Sequence, residues 1–285
     1  MIARIAGMVA VLAVIGLGLA GCASAPAELP SGVHVSVFQN RLDYASRQLE
    51  IKVINDSQSP VTINAARYES NRFATAALWN RPQTVPASGA RDLRVQLNDP
   101  VCDEREPNDL VILDFTLADG TVGSSAVVPL DEIGRLDAIT AEDCLGVAVS
   151  ERAAISGPDR LVWQPGQRAP ALLALTVVPE SGPGSLTVHS ARGTVLLALA
   201  DKQGRPVDQL TIDLTVDSES SPVIVELFVV PTRCDVHAIA EDKRGTFFPL
   251  DVSTTTGPAG RIFIAMSDDV RAELYEFYAD YCDFP

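Results

Sequence analysis

A mainly β fold, arranged as two tandem β-sandwich (Ig-like) modules that each end in a short helix tied back by a disulfide, is predicted by three features of the sequence. Apolar and polar residues alternate with period two in segment after segment, turn clusters rich in Gly, Asn, Ser and Pro separate those segments, and four of the five cysteines divide two and two between halves of similar layout. Alternation puts the apolar side chains of a strand on one face, which is what a half-buried sandwich strand requires.

The first module is expected over residues 32–149. Leu49, Ile51 and Val53 alternate with polar residues, and the cluster Asn55-Asp-Ser-Gln-Ser-Pro60 then turns the chain. Leu93-Arg-Val-Gln-Leu97 reads as a strand leading to Pro100-Val-Cys102. Val111, Leu113, Phe115 and Leu117 form the next, closed by a turn at Asp119-Gly-Thr121, and a helical segment runs from Asp131 to Cys144. Residues 150–169 hold Gly157-Pro158, Gln164-Pro165-Gly166 and Arg168-Ala169-Pro170, and read as a linker.

The second module is expected over residues 170–285. Leu210, Ile212, Leu214 and Val216 alternate in one strand, bounded by Asp201-Lys-Gln-Gly204 and Ser218-Glu-Ser-Ser-Pro222, and Val223 to Val230 leads to Pro231-Thr-Arg-Cys234. Strands follow around Arg244-Gly-Thr246. Ser267 then caps a helix with Asp268 and Asp269 in its first turn and Val270, Leu274, Phe277 and Tyr281 along one face, beside Cys282. Both modules thus repeat one order of strand, cysteine, strands, helix and cysteine, which a duplication explains. The expected pairs are Cys102 with Cys144 and Cys234 with Cys282, because each lies within one module. Each loop of that length constrains the unfolded chain by about 4 kcal/mol. On this reading residues 170–285 fold alone once Cys234 and Cys282 are oxidised.

The N-terminus is an address. After Arg4 an apolar run extends from Ile5 to Gly21, too short for a comfortable span, and then breaks off into Ala-Ser-Ala-Pro-Ala-Glu-Leu-Pro-Ser-Gly. Leu19-Ala-Gly-Cys22 resembles the lipobox of bacterial lipoproteins. That resemblance implies a signal peptide over 1–21, a diacylglycerol thioether on Cys22, a flexible tether over 22–31, and a location outside the cytoplasm on the cell membrane. The membrane is then a partner through the lipid on Cys22.

The chain carries 22 basic and 37 acidic residues, a net charge of −15, and loss of residues 1–21 takes away only Arg4. Such a surface repels phosphate backbones, so no nucleic-acid partner is expected. No G-x-S-x-G elbow occurs. Gly123-Ser-Ser-Ala126 looks like the start of a strand, and His34, His189 and His237 fall in or beside strand-like segments as packed or surface residues. Cys234-Asp-Val-His237 has ligand-like spacing, but no second pair completes a zinc site, so neither metal nor cofactor is expected. Asp99, Asp103, Glu104, Glu106 and Asp109 crowd the loop at Cys102 without the order of a calcium loop, and read as a solvated acidic loop. Trp79 and Trp163 read as plugs of a core or a domain interface.

No catalytic residue is assigned. A non-enzymatic, lipid-anchored envelope binding or interaction protein is expected, with an envelope protein or glycan as partner. An envelope hydrolase with an unfamiliar site, or an assembly factor for an envelope complex, are the alternatives. Around Arg233-Cys-Asp-Val-His-Ala-Ile-Ala-Glu-Asp-Lys-Arg-Gly-Thr-Phe-Phe248 the sequence resembles secreted actinobacterial proteins, a resemblance that implies no activity.

Overall fold

The alternating segments become antiparallel strands whose apolar faces meet across two sandwiches. The computed structural model describes residues 28–284, other than 41, 104, 105, 241, 243, 244 and 256. The lipobox and Cys22 lie outside the described residues. In the first module the elements are β1 (Val33–Phe38), α1 (Asp43–Ser46), β2 (Gln48–Asn55), β3 (Val61–Ser70), β4 (Ala77–Trp79), β5 (Gln83–Val85), β6 (Gly89–Gln96), β7 (Asp109–Leu117), β8 (Val122–Val127) and α2 (Arg135–Ser150). One sheet has the order β1-β2-β6; the other has β4-β3-β7-β8 with β5 also beside β3. Leu49, Ile51 and Val53 of β2 and Val111, Leu113 and Phe115 of β7 are buried in one core, as period-two patterning demands.

The second module comprises β9 (Ala153–Ser156), β10 (Ala171–Pro179), β11 (Ser185–Arg192), β12 (Leu197–Ala200), β13 (Pro206–Val207), β14 (Gln209–Asp217), β15 (Val223–Pro231), α3 (Val236–Ala240), β16 (Phe247–Thr254), β17 (Ala259–Ala265) and α4 (Asp268–Tyr281). Its sheets have the orders β13-β12-β15-β10-β9 and β14-β11-β16-β17. The triplet β1-β2-β6 corresponds to β9-β10-β15, and β3-β7-β8 to β11-β16-β17. The ladders match residue by residue. A register shift falls between Ile63 and Ala65 in β3 and between Val188 and Ser190 in β11. This alignment sets Asp114 opposite Ala65 as Asp251 is set opposite Ser190, and pairs Phe115 with Gly123 as Val252 pairs with Gly260.

That correspondence corrects the expected linker at 150–169. Ala153–Ser156 is strand β9, paired with β10 and occupying the place that β1 has in the first module. Leu161 is buried in the second core, Val162 bridges to Leu172, and Trp163 packs against the same core. The apolar pieces here are only three or four residues long, below the length at which periodicity shows, and turn residues surround them. The neighbouring strand recruits them.

Helix α2 also exceeds its expected end at Cys144, running on to Ser150. Leu136 and Ile139 sit in the first core, whereas Leu145 and Val149 sit in the second. At about 100° per residue these two pairs point roughly 130° apart, so one helix serves two cores from two faces. Leu145 lies so close to β17 that a Cβ on Gly260 would come 3.0 Å from its Cδ2.

Helix α4 follows its sequence signals: the Ser267 hydroxyl accepts from the Val270 N–H at 3.2 Å, and Val270, Leu274 and Phe277 are buried. Tyr278 is buried as well, donating its hydroxyl hydrogen to the Arg233 carbonyl. The disulfides join Cys102 to Cys144 and Cys234 to Cys282. Each ties the loop after β6 or β15 to the helix that ends its module. Among the described residues no helix is long and apolar enough to cross a membrane.

Candidate functional site

A groove runs along α2, and buried arginines build it. Arg72, just beyond β3, is 9% exposed. Its Nε donates to both oxygens of Asp109 at 3.2 Å, its Nη2 to Asp137 at 2.6 Å, and its Nη1 to the Thr140 hydroxyl at 3.0 Å. Asp109 also accepts from the Tyr68 hydroxyl at 2.6 Å and from Ser70 at 2.7 Å. One guanidinium therefore joins β3, β7 and α2. Burial works against its charge, but the hydrogen bonds and fields of Asp137 and Asp109 more than offset this and raise its pKa. Burial and then the bond to Asp109 push the Tyr68 phenol well above its usual range. Farther along the helix, Arg47 makes a two-pronged pair with Asp143 at 3.1 and 2.7 Å.

The groove itself, about 540 Å³, is bounded by Arg72, Val147, Arg152, Pro258 and the Cys102–Cys144 disulfide, with Asp137 and Glu151 on its wall. Small-molecule sites commonly fall at about 300–1,000 Å³. Arg152 is 9% exposed, its Nη1 bound to the Ala148 carbonyl at 2.7 Å and to Glu151 at 3.4 Å, while its Nε has no hydrogen-bond partner. The arrangement combines an apolar strip, carboxylates and two largely buried guanidiniums. It suits recognition of a ligand with an apolar body and polar ends.

Other residues singled out by sequence lie apart from this groove. His34 Nε2 is 3.0 Å from Asp56. His189 Nε2 is 2.8 Å from the Ser253 hydroxyl on the open face of β11 and β16; among the described residues no acid orients its other nitrogen, as a serine nucleophile's base requires. The His237 N–H donates to Asp235 at 2.9 Å. Cys234 is committed to Cys282, and among the described residues no group of three or more His, Cys, Asp or Glu is placed to hold a metal ion.

The acidic loop diverges. Asp109 turns inward onto Arg72, Asp99 uses its carbonyl to accept from the Ala74 N–H at 2.8 Å, and the Glu106 carbonyl accepts from Asn71 at 2.8 Å. Glu104 lies outside the described residues. Gly123-Ser-Ser-Ala126 lies within β8, where Ser124 donates to Asp114 at 2.6 Å. Trp79 is buried in the first core.

Asp251 carries a cluster with no sequence signal, since its partners come from two other strands. It accepts from Arg261 at 2.8 Å, Arg192 at 2.9 Å and Ser190 at 3.1 Å. The bond from Arg261, followed by those from Arg192 and Ser190, outweighs burial and lowers the carboxyl to about 2. Its folded pKa is below its unfolded one, so this stabilisation, about 1–2 kcal/mol after screening, is complete above about pH 4 and fades as pH falls toward 2. Urea unfolding of the wild type and of Asp251→Asn should differ by that amount at pH 6 and converge near pH 2. An equal gap at both would contradict it.

No family model matches the chain, and no curated protein matches it. Among solved structures, red sea bream transglutaminase is similar over 84% of this chain and 32% of its own, with 13% identity and a TM-score of 0.26. The present chain therefore spans about a third of that protein. The B domain of a biofilm associated protein is similar over 87% of this chain and 90% of its own, with 9% identity and a TM-score of 0.24. A chaperone and tip adhesion subunit pre-assembly complex of Acinetobacter baumannii Csu pili follows over 78% and 92%, with 12% identity and a TM-score of 0.17. By its own sheets and cysteines, the class of this chain is a mainly β protein of two antiparallel sandwiches with two disulfides.

Proposed function

We propose that the chain is a lipid-anchored interaction protein of the bacterial cell envelope, acylated at Cys22, that uses the α2 groove to hold a protein or glycan partner. The groove carries the binding half of this reading: it is of ligand size, lies where the two modules meet, and sets carboxylates and arginines around an apolar strip. Leu19-Ala-Gly-Cys22 supports the anchor, and two disulfides suit an oxidising compartment outside the cytoplasm.

Two substitutions test the halves separately. Cys22→Ser should release the protein from membranes or block its processing; a protein still cleaved after Gly21 and firmly membrane-bound would refute the anchor. A photo-crosslinking residue at Val147, inside the groove, should give a defined adduct in intact cells that is absent with the same group at exposed Val195, outside it. No adduct at Val147, or equal adducts at both, would refute the groove as the binding surface.

A further inference from the structure

The edge formed by β8 and its continuation to Leu130 is unlike the rest of this acidic surface. From Gly120 to Leu130 no charged residue occurs, although charged residues make up 21% of the chain. Along this stretch the even positions face outward: Val122, Ser124, Ala126, Val128 and Leu130 are all exposed, and Ile133 follows. The large ones are open to a high degree, Val122 at 66%, Val128 at 71%, Leu130 at 55% and Ile133 at 75%. Leu130 crosses to the other sheet, accepting from Val37 and donating to Val35 at 2.9 Å each. The stripe therefore runs along one side of the first sandwich. Among the described residues β8 pairs only with β7, leaving an edge without the charges that usually guard such strands.

The repeat shows how this edge differs from its counterpart. In the second module Leu145 of the incoming helix α2 packs on the inward side of the equivalent strand β17, at Gly260 opposite buried Val252, while the outward row of β17 carries Arg261 where β8 carries Ser124. In the first module, the described residues leading into the same position are those of the chain's entry: the Leu29 N–H donates to the Ser125 hydroxyl at 3.2 Å, and Leu29 packs against the first core. Leu29 lies seven positions after Cys22, a reach of at most about 25 Å. An anchor at Cys22 thus holds β8 within a short distance of the headgroups. A second copy is a poor occupant because each chain carries a net charge of −15, whereas the stretch 120–130 brings no charge of its own to a zwitterionic surface.

We infer that the stripe Val122–Leu130 with Ile133 is a membrane-seating edge: it rests in the interfacial region of a lipid surface and fixes the orientation of the anchored protein. This rests on the reading of Cys22 as acylated. Seated this way, module one lies against the membrane.

The test uses full-length acylated protein reconstituted into phosphatidylcholine vesicles, with Val128→Trp and Ile133→Trp as reporters and Ile224→Trp, exposed on the second module, as control. Phosphatidylcholine brominated near the glycerol end of its acyl chains should quench the first two at least twofold relative to plain lipid and leave the control unchanged. Flotation with the vesicles but equal emission in both lipids would overturn the seating alone. Failure of the wild type to float would overturn the acylation reading and the seating with it. A blue-shifted reporter together with a doubled mass in the absence of vesicles would show that a second copy covers the edge, and would also overturn the proposal.

Discussion

Residues 170–285, expressed alone in an oxidising compartment, should remain molten even with Cys234 and Cys282 joined. This reverses what the sequence alone leads one to expect of the fragment. The second core includes Leu145, Val149, Ala153 and Leu161, with Ile155 and Trp163 packed against it, and all six lie before residue 170. Burial of a Leu or Val side chain contributes about 1.5–3 kcal/mol, so the three large aliphatic residues alone account for roughly 5–9 kcal/mol, comparable to the net stability of a domain. The fragment also loses β9, which leaves the β10 edge unpaired on that side. A disulfide restrains the unfolded chain but cannot fill that void. A fragment of residues 145–285 restores all six side chains and should show a cooperative urea transition and dispersed near-ultraviolet circular dichroism. If residues 170–285 unfold as cooperatively as residues 145–285, the shared-core account fails.

Arg72→Met should destabilise the whole protein by about 3–5 kcal/mol, the range for breaking a buried ion pair by removing one partner. The loss exceeds that of an exposed pair because Asp109, only 16% exposed at its side chain, would be left with Tyr68 and Ser70 as its remaining donors. Asp137 and Thr140 would lose their tie to β3 at the same time. The cause can be isolated by adding Asp109→Asn. Removing the uncompensated charge should make the double variant more stable than Arg72→Met alone, a coupling visible in a double-mutant cycle. A single-variant cost below about 1 kcal/mol would show that water, and not Arg72, solvates Asp109.

Much of this architecture is legible along the chain because its causes are local or periodic. β2, β7 and β14 announce themselves by alternation, and the inward residues of β2 and β7 are buried as alternation requires. Helix α4 starts at a serine cap and shows one apolar face, and an even set of cysteines falls two to each repeat. The lipobox-like Leu19-Ala-Gly-Cys22, equally local, resides in four consecutive residues. Other features exist only after the sheets assemble. Strand β9 is four residues of modest pattern, ordered by the ladder to β10. Helix α2 shows no single apolar stripe, because its two halves answer to two different cores. Arg72 with Asp109 and Asp137, and Asp251 with Arg192 and Arg261, join residues from separate elements. In a chain with 37 acidic residues no spacing distinguishes these carboxylates from solvated ones. Their roles are set by which strands become neighbours, and that neighbourhood comes from burial of the two cores, which no short window of sequence contains.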